Sequence, residues 1–140
     1  MNEPYAGDLA PAKAWKLLGQ DGRAVLIDVR TEPEWRYVGL PDLAPIDRQA
    51  ALISWQVYPS MSVNSDFIDA LTAAAPDKEA PVLFLCRSGV RSRAAAVAAT
   101  AAGYTAAFNV AEGFEGDMDA DGHRGQVGGW KLAGLPWRQG

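Results

Sequence analysis

The sequence predicts an α/β fold, a mostly parallel central sheet with helices on both faces, and three observations carry that expectation. Ala24-Val25-Leu26-Ile27-Asp28-Val29-Arg30 and Pro81-Val82-Leu83-Phe84-Leu85 are apolar runs too short for ordinary helices. Both are followed directly by polar or glycine-containing residues, as buried parallel strands are at their carboxyl ends. Helical stretches alternate with these runs along the chain.

Each element has a local reason. Asp8 to Leu18 combines a capping candidate at Asp8, an early proline at Pro11 and apolar positions 14, 15, 17 and 18, which reads as a short amphipathic helix ending at Gly19. Between Gly39 and Asn64 three prolines interrupt the pattern, and Ala51 to Tyr58 is the strand candidate there. Ser65 to Ala74 reads as a capped helix with its apolar stripe at 67, 68 and 71, closed by Pro76. After Leu85 comes Cys86-Arg87-Ser88-Gly89-Val90-Arg91-Ser92, then an alanine-rich helix from about Arg93 to Ala102, stopped by Gly103. Ala106 to Val110 is a last strand, and the glycine-rich, acidic segment 117–140 reads as an irregular extension to a core spanning about 8–116. The whole of 1–140 is expected to be one domain.

Composition excludes several functions. With 49% hydrophobic and 21% charged residues, and no run near the roughly 20 apolar residues of a membrane span, the chain reads as soluble and globular, with no membrane partner. Met1 to Asp8 lacks the basic and apolar regions of a leader peptide, so a cytoplasmic location is expected. A formal net charge of −4 argues against nucleic acid as a partner. One cysteine excludes an internal disulfide or a paired-cysteine metal site, and one histidine, His123, leaves a zinc cage short of ligands. Asp117, Asp119 and Asp121 alternate like the start of a calcium loop, but residue 128 is Gly where a glutamate is required, so no metal is expected.

The thiol stands where open α/β sheets put reactive groups, beyond a strand end. A tight loop leading into a helix turns backbone N–H groups and the positive helix end toward an anion, conditions that favour thiolate over thiol. Gly89 permits the turn, Arg87, Arg91 and Arg93 bring guanidinium groups, and Ser92 is the expected helix cap. Arginines at a helix N-terminus oppose its dipole, so a merely solvated role explains them poorly. Asp28 and Arg30, taken alone, read as a strand-end ion pair. The tryptophans read as packing residues, with Trp35 and Trp55 able to wall a pocket.

The loop Cys86-Arg87-Ser88-Gly89-Val90-Arg91-Ser92 resembles the active-site loop of the rhodanese family. The resemblance extends to Leu26-Ile27-Asp28-Val29-Arg30-Thr31-Glu32-Pro33-Glu34-Trp35 and to Asn109-Val110-Ala111-Glu112-Gly113-Phe114, in the family's order over roughly 8–116. It implies a rhodanese-like fold and a sulfurtransferase in which Cys86 carries sulfur as a persulfide, without a cofactor. It also implies that residues 87–92 bind the substrate and the persulfide. The implied partners are a small donor such as thiosulfate, a thiol or cyanide acceptor, and further a sulfur-acceptor protein. Asp28 is implied to bond the loop or Arg91, and Arg30 to pair with Glu34, as supports. The sequence departs from the family in the reshaped segment 39–65, at Glu112 where glycine is common, and in the tail with Trp130 and Trp137, which is expected to line the pocket or an interface. Two alternatives stand beside the transferase. One is a noncatalytic or partner-dependent relay module. The other is a cysteine phosphatase or arsenate reductase on the same fold, disfavoured because those loops are one residue longer than the six from Cys86 to Arg91.

Overall fold

The computed structural model describes residues 4–139. In chain order the elements are β1 (Gly7–Leu9), α1 (Pro11–Gln20), β2 (Val25–Asp28), α2 (Glu32–Tyr37), β3 (Leu40–Pro41), a 3-10 turn (Ala44–Ile46), β4 (Ala51–Leu52), β5 (Gln56–Val57) and β6 (Ser62–Val63). Then follow α3 (Phe67–Ala74), β7 (Val82–Leu85), α4 (Val90–Ala101), β8 (Ala107–Val110) and β9 (Trp137–Arg138). Five strands form a parallel sheet in the order β1-β8-β7-β2-β4. The apolar runs are its centre: β2 and β7 pair with Asp28 opposite Leu85, so Asp28 lies one residue from the cysteine's strand end.

Alternation along the central strands splits the core into two layers. Ile27, Val82 and Phe84 face Phe67, Leu71, Ala95, Ala96 and Ala99, the α3 and α4 side. Leu26, Leu83 and Leu85 face Ala14 and Leu18 of α1, together with Phe114 and Trp130. Small side chains let α4 lie close on the sheet, with Ala95, Ala96 and Ala99 fully buried.

Several expected boundaries move. Asp8 does not cap α1; it lies in β1, an edge strand paired with β8, and α1 begins after Ala10 and runs past Gly19 to Gln20. Three residues are too few for a legible pattern, and proline at N1 alone marks the true start. The candidate strand 51–58 is two pieces: β4 joins the main sheet, whereas β5 pairs only with β6. Helix α3 begins at Phe67, after Asn64 has accepted the Asp66 N–H, so Ser65 is not its cap.

The tail is irregular, as expected, but it belongs to the core. Trp130 is fully buried, meets Trp15 edge-on at 5.9 Å between ring centroids, and donates its indole N–H to the Pro136 carbonyl at 2.8 Å. β9 then pairs antiparallel with β3, carrying Trp137 onto Phe114. Neither tryptophan lines the cysteine pocket. A protein of this size gains from one more large aromatic sealing the α1 face, and an aromatic with a partnered N–H suits that place.

Candidate active site

Cys86 follows β7 directly, and α4 starts at Val90 after Gly89, whose φ of 112° is available cheaply to glycine alone. The loop is fixed from outside by the turn after β8. Phe114 N–H donates to the Cys86 carbonyl at 2.8 Å, and Glu115 N–H to the Arg87 carbonyl at 3.0 Å. That approach needs Gly113, where a Cβ would stand 2.5 Å from the Arg87 carbonyl oxygen. Glu112, at the position where glycine was noted as common, adopts φ 68° and accepts the Gly129 N–H.

With the Cys86 and Arg87 carbonyls tied outward, the Gly89 amide faces the sulfur. Gly89 N–H lies 3.1 Å from Cys86 Sγ, and the Ser92 hydroxyl lies 3.2 Å from it on the other side. The first N–H groups of α4 have no acceptor within their own helix, which makes the end attractive to negative charge. Cys86 is almost wholly buried at the base of a pocket of about 370 Å3 lined by Glu34, Gln56, Met61, Arg87, Ser88, Val90 and Arg91. Of the predicted residues, Cys86, Arg87, Ser88, Val90, Arg91 and Glu34 therefore meet at one opening, with Gly89 and Ser92 beneath it.

The supporting pairs differ from those implied by the family resemblance, and the strand-end reading of Asp28 and Arg30 holds. Arg30 pairs with Asp28, not Glu34: Nη2 is 2.7 Å and Nε 3.0 Å from its carboxylate oxygens, with both side chains inaccessible to solvent. The Arg30 backbone N–H also reaches Asp28 Oδ1, a turn that folds the side chain back over its own strand end. Its guanidinium donates to the Gly39 carbonyl and stacks 4.3 Å above the Phe114 ring. Asp28, thus occupied, contacts neither the loop nor Arg91 by a hydrogen bond. Glu34 sits in the first turn of α2, facing the loop, and takes Arg91 in a two-point contact of 2.7 and 2.9 Å. The two pairs brace the loop from behind and from the side.

Burial pushes the Glu34 carboxyl up, but Arg91's hydrogen bonds and charge, with the Thr31 N–H and hydroxyl, outweigh it and hold the group below its ordinary value. Burial likewise lowers Arg91, and Glu34 more than restores it, with the Cys86 sulfur and Asp28 adding to the rise. A folded value below the unfolded one means the Glu34 contribution is present above the usual carboxylate range and lost as pH falls through the folded value. Glu34→Gln is therefore expected to cost about 1 kcal/mol at neutral pH, because the pair is two-point but partly exposed. Urea midpoints of variant and parent, measured against pH, should converge once pH has fallen below the ordinary carboxylate range.

A family model described as the STR4 middle domain matches residues 7–140. The chain belongs to the STR4 middle-domain family. Among curated relatives, uncharacterized protein RC0915 of Rickettsia conorii is 38% identical over 132 residues, 94% of this chain and 96% of the relative. The chloroplastic protein THYLAKOID RHODANESE-LIKE of Oryza sativa subsp. indica is 32% identical over 137 residues, 97% of this chain but 26% of that longer protein. The crystal structure of Rv0390 from M. tuberculosis superposes with a TM-score of 0.88 at 50% identity, covering 97% of this chain and 99% of that one. A polysulfide-sulfur transferase homodimer from Wolinella succinogenes shares the fold alone, with a TM-score of 0.62 at 23% identity over 95% of this chain and 78% of its own. The α/β fold of this chain is rhodanese-like, as the sequence resemblance implied.

Two residues do something other than the sequence suggested. Ser92 does not cap α4; it is inside the first turn, fully buried, and touches Cys86 Sγ and Asn109 Oδ1. Arg93 points away from the pocket, its guanidinium 5.4 Å from the Tyr5 ring centroid. Asn109, given no role from sequence, is the hidden member of the site. A signal existed, since an amide inside the buried strand β8 must find partners. Farther off, Asp119 accepts the N–H groups of Asp121 and His123, so these residues form a turn. No cluster of three or more metal-ligating groups occurs among the described residues. Nor is any helix among them long and apolar enough to cross a membrane.

Proposed function

We propose that this chain is a sulfurtransferase that takes sulfane sulfur from a small anionic donor, such as thiosulfate, onto Cys86 as a persulfide and delivers it to a thiol or cyanide. The observation that carries this reading is the placement of the Cys86 sulfur, at the base of a pocket, held by the Gly89 amide at a helix start. The thiolate attacks the outer sulfur of the donor. The donor's S–S bond breaks, and sulfite leaves with the bonding pair. An acceptor thiolate then attacks the outer sulfur of the persulfide and returns Cys86 as thiolate. The chain needs only to bind the donor anion, hold the extra sulfur and exclude water.

Arg87 is exposed at the pocket mouth and makes no ion pair among the described residues, which suits it to meet the donor's sulfonate. Arg91, committed to Glu34, contributes field and shape more than a free ligand hand. The rim also carries exposed apolar side chains, Val90 at 77% and Met61 at 38% of full exposure, which favours a protein thiol as a second class of acceptor. Incubation with thiosulfate and cyanide is expected to release sulfite and thiocyanate together in equal amounts. Turnover of a phosphate ester or arsenate, with none of thiosulfate or mercaptopyruvate, would overturn the reading.

A further inference from the structure

Behind the sulfur runs a chain of buried polar contacts that the transfer chemistry does not use. The Ser92 hydroxyl is 3.2 Å from Cys86 Sγ and 2.5 Å from Asn109 Oδ1. Asn109 Nδ2 donates to Asp8 Oδ1 at 3.0 Å, and the Tyr5 hydroxyl donates to the same oxygen at 2.8 Å. Directions along this chain follow from the chemistry of its members. An ionised carboxylate only accepts, so the Asn109 NH2 must face Asp8 and its carbonyl oxygen must face Ser92. The length of the Ser92 contact agrees, being an O–H to oxygen distance and too short for an amide nitrogen. A carbonyl oxygen also only accepts, so the single Ser92 proton lies toward Asn109. The Ser92 oxygen then offers its lone pairs to Cys86 and receives the S–H of a thiol.

We infer that Asn109 is a positioning residue that competes with the Cys86 sulfur for the Ser92 proton and so sets how readily the thiolate forms. With Cys86 as thiol, or as persulfide with no charge on the inner sulfur, the Ser92 proton stays on Asn109. When the thiolate forms, the thiol proton leaves to water in the pocket and Ser92 turns its own proton to the sulfur, releasing Asn109. The site is thereby biased toward the sulfur-loaded form between turnovers, a consequence that rests on the persulfide reading above. The proton switch itself does not.

Other charged groups near the sulfur, Arg87 at the mouth apart, are already engaged, and none of them is altered in the test. Asp28 is held by Arg30, Glu34 by Arg91, and Glu112 accepts the Gly129 N–H. Arg93 stacks on Tyr5, and Arg87 lies at the mouth.

The test is the pH dependence of Cys86 alkylation by iodoacetamide, which needs no sulfur donor and so separates this inference from the function. Asn109→Leu leaves Ser92 only the sulfur as acceptor, and the midpoint is expected to fall by about one pH unit, the worth of one hydrogen bond to a charged atom. Ser92→Ala should raise it, and in that background Asn109→Leu should have no effect. Should Asn109→Leu fail to fold, Asp8→Ala and Asp8→Asn give the same answer. Both lose one charge, but only the asparagine can still hold the Asn109 amide, so the alanine variant is expected to have the lower midpoint. A folded Asn109→Leu with an unchanged or higher midpoint, or equal midpoints in the two Asp8 variants, overturns the proposal.

Discussion

Cys86→Ser is expected to bring sulfur transfer down to the rate seen without protein, while the fold persists. Oxygen in place of sulfur leaves a hydroxyl that is scarcely ionised near neutrality and cannot form a persulfide. The new hydroxyl inherits the Gly89 N–H and Ser92 as hydrogen-bond partners, so the stability change should stay within about 1 kcal/mol. Sulfite release from thiosulfate and a urea melt of the same preparation check the two halves. A variant that still turns over thiosulfate would place the chemistry elsewhere in the chain.

The largest stability effect is expected at the pair behind the loop. Asp28→Ala strands the Arg30 guanidinium in a place with no solvent access, and breaking a buried pair from one side costs about 3–5 kcal/mol. Against the 5–15 kcal/mol that usually hold a domain together, that is a large share. Removing both charges, as in Asp28→Ala with Arg30→Met, should recover most of the loss, since the methionine can occupy the slot over Phe114. Urea denaturation of the single and double variants measures the difference. A single variant within about 1 kcal/mol of the parent would show that water or another group relieves the Arg30 charge. Because Arg30 also holds the Gly39 carbonyl and Phe114 holds the Cys86 carbonyl, the single variant should lose its loop geometry before it loses its sheet.

What could be read from the sequence was local. The runs that became β2 and β7 are apolar because both faces of the central sheet are covered, and a continuous apolar stretch announces that without any partner. Cys86 with Gly89 and the alanine helix behind it is likewise a strand, a turn and a helix in succession. What escaped depends on contacts between distant parts of the chain. Asn109 meets Asp8 across 101 positions, Arg91 meets Glu34 across 57, and no spacing rule connects them. β1 is three residues long and carries a polar Asp8 at its centre, so the pattern there favoured a helix cap. Trp130 read as a packing residue in a tail expected to line the pocket or an interface; only the folded tail shows that its glycine-rich turns deliver it to the α1 layer. The pair of Asp28 with Arg30 is local and was legible as a strand-end ion pair, whereas the resemblance implied Glu34 as the partner of Arg30. Charge alone permitted either arrangement, and the turn at Arg30 decided it.

The most direct test of the central claim is the intact mass of the purified chain before and after thiosulfate, and again after cyanide, with Cys86→Ser beside it. The account predicts a gain equal to one sulfur atom, reversed by cyanide and missing from the variant. No gain with either thiosulfate or mercaptopyruvate, or a gain that the serine variant shares, would contradict it.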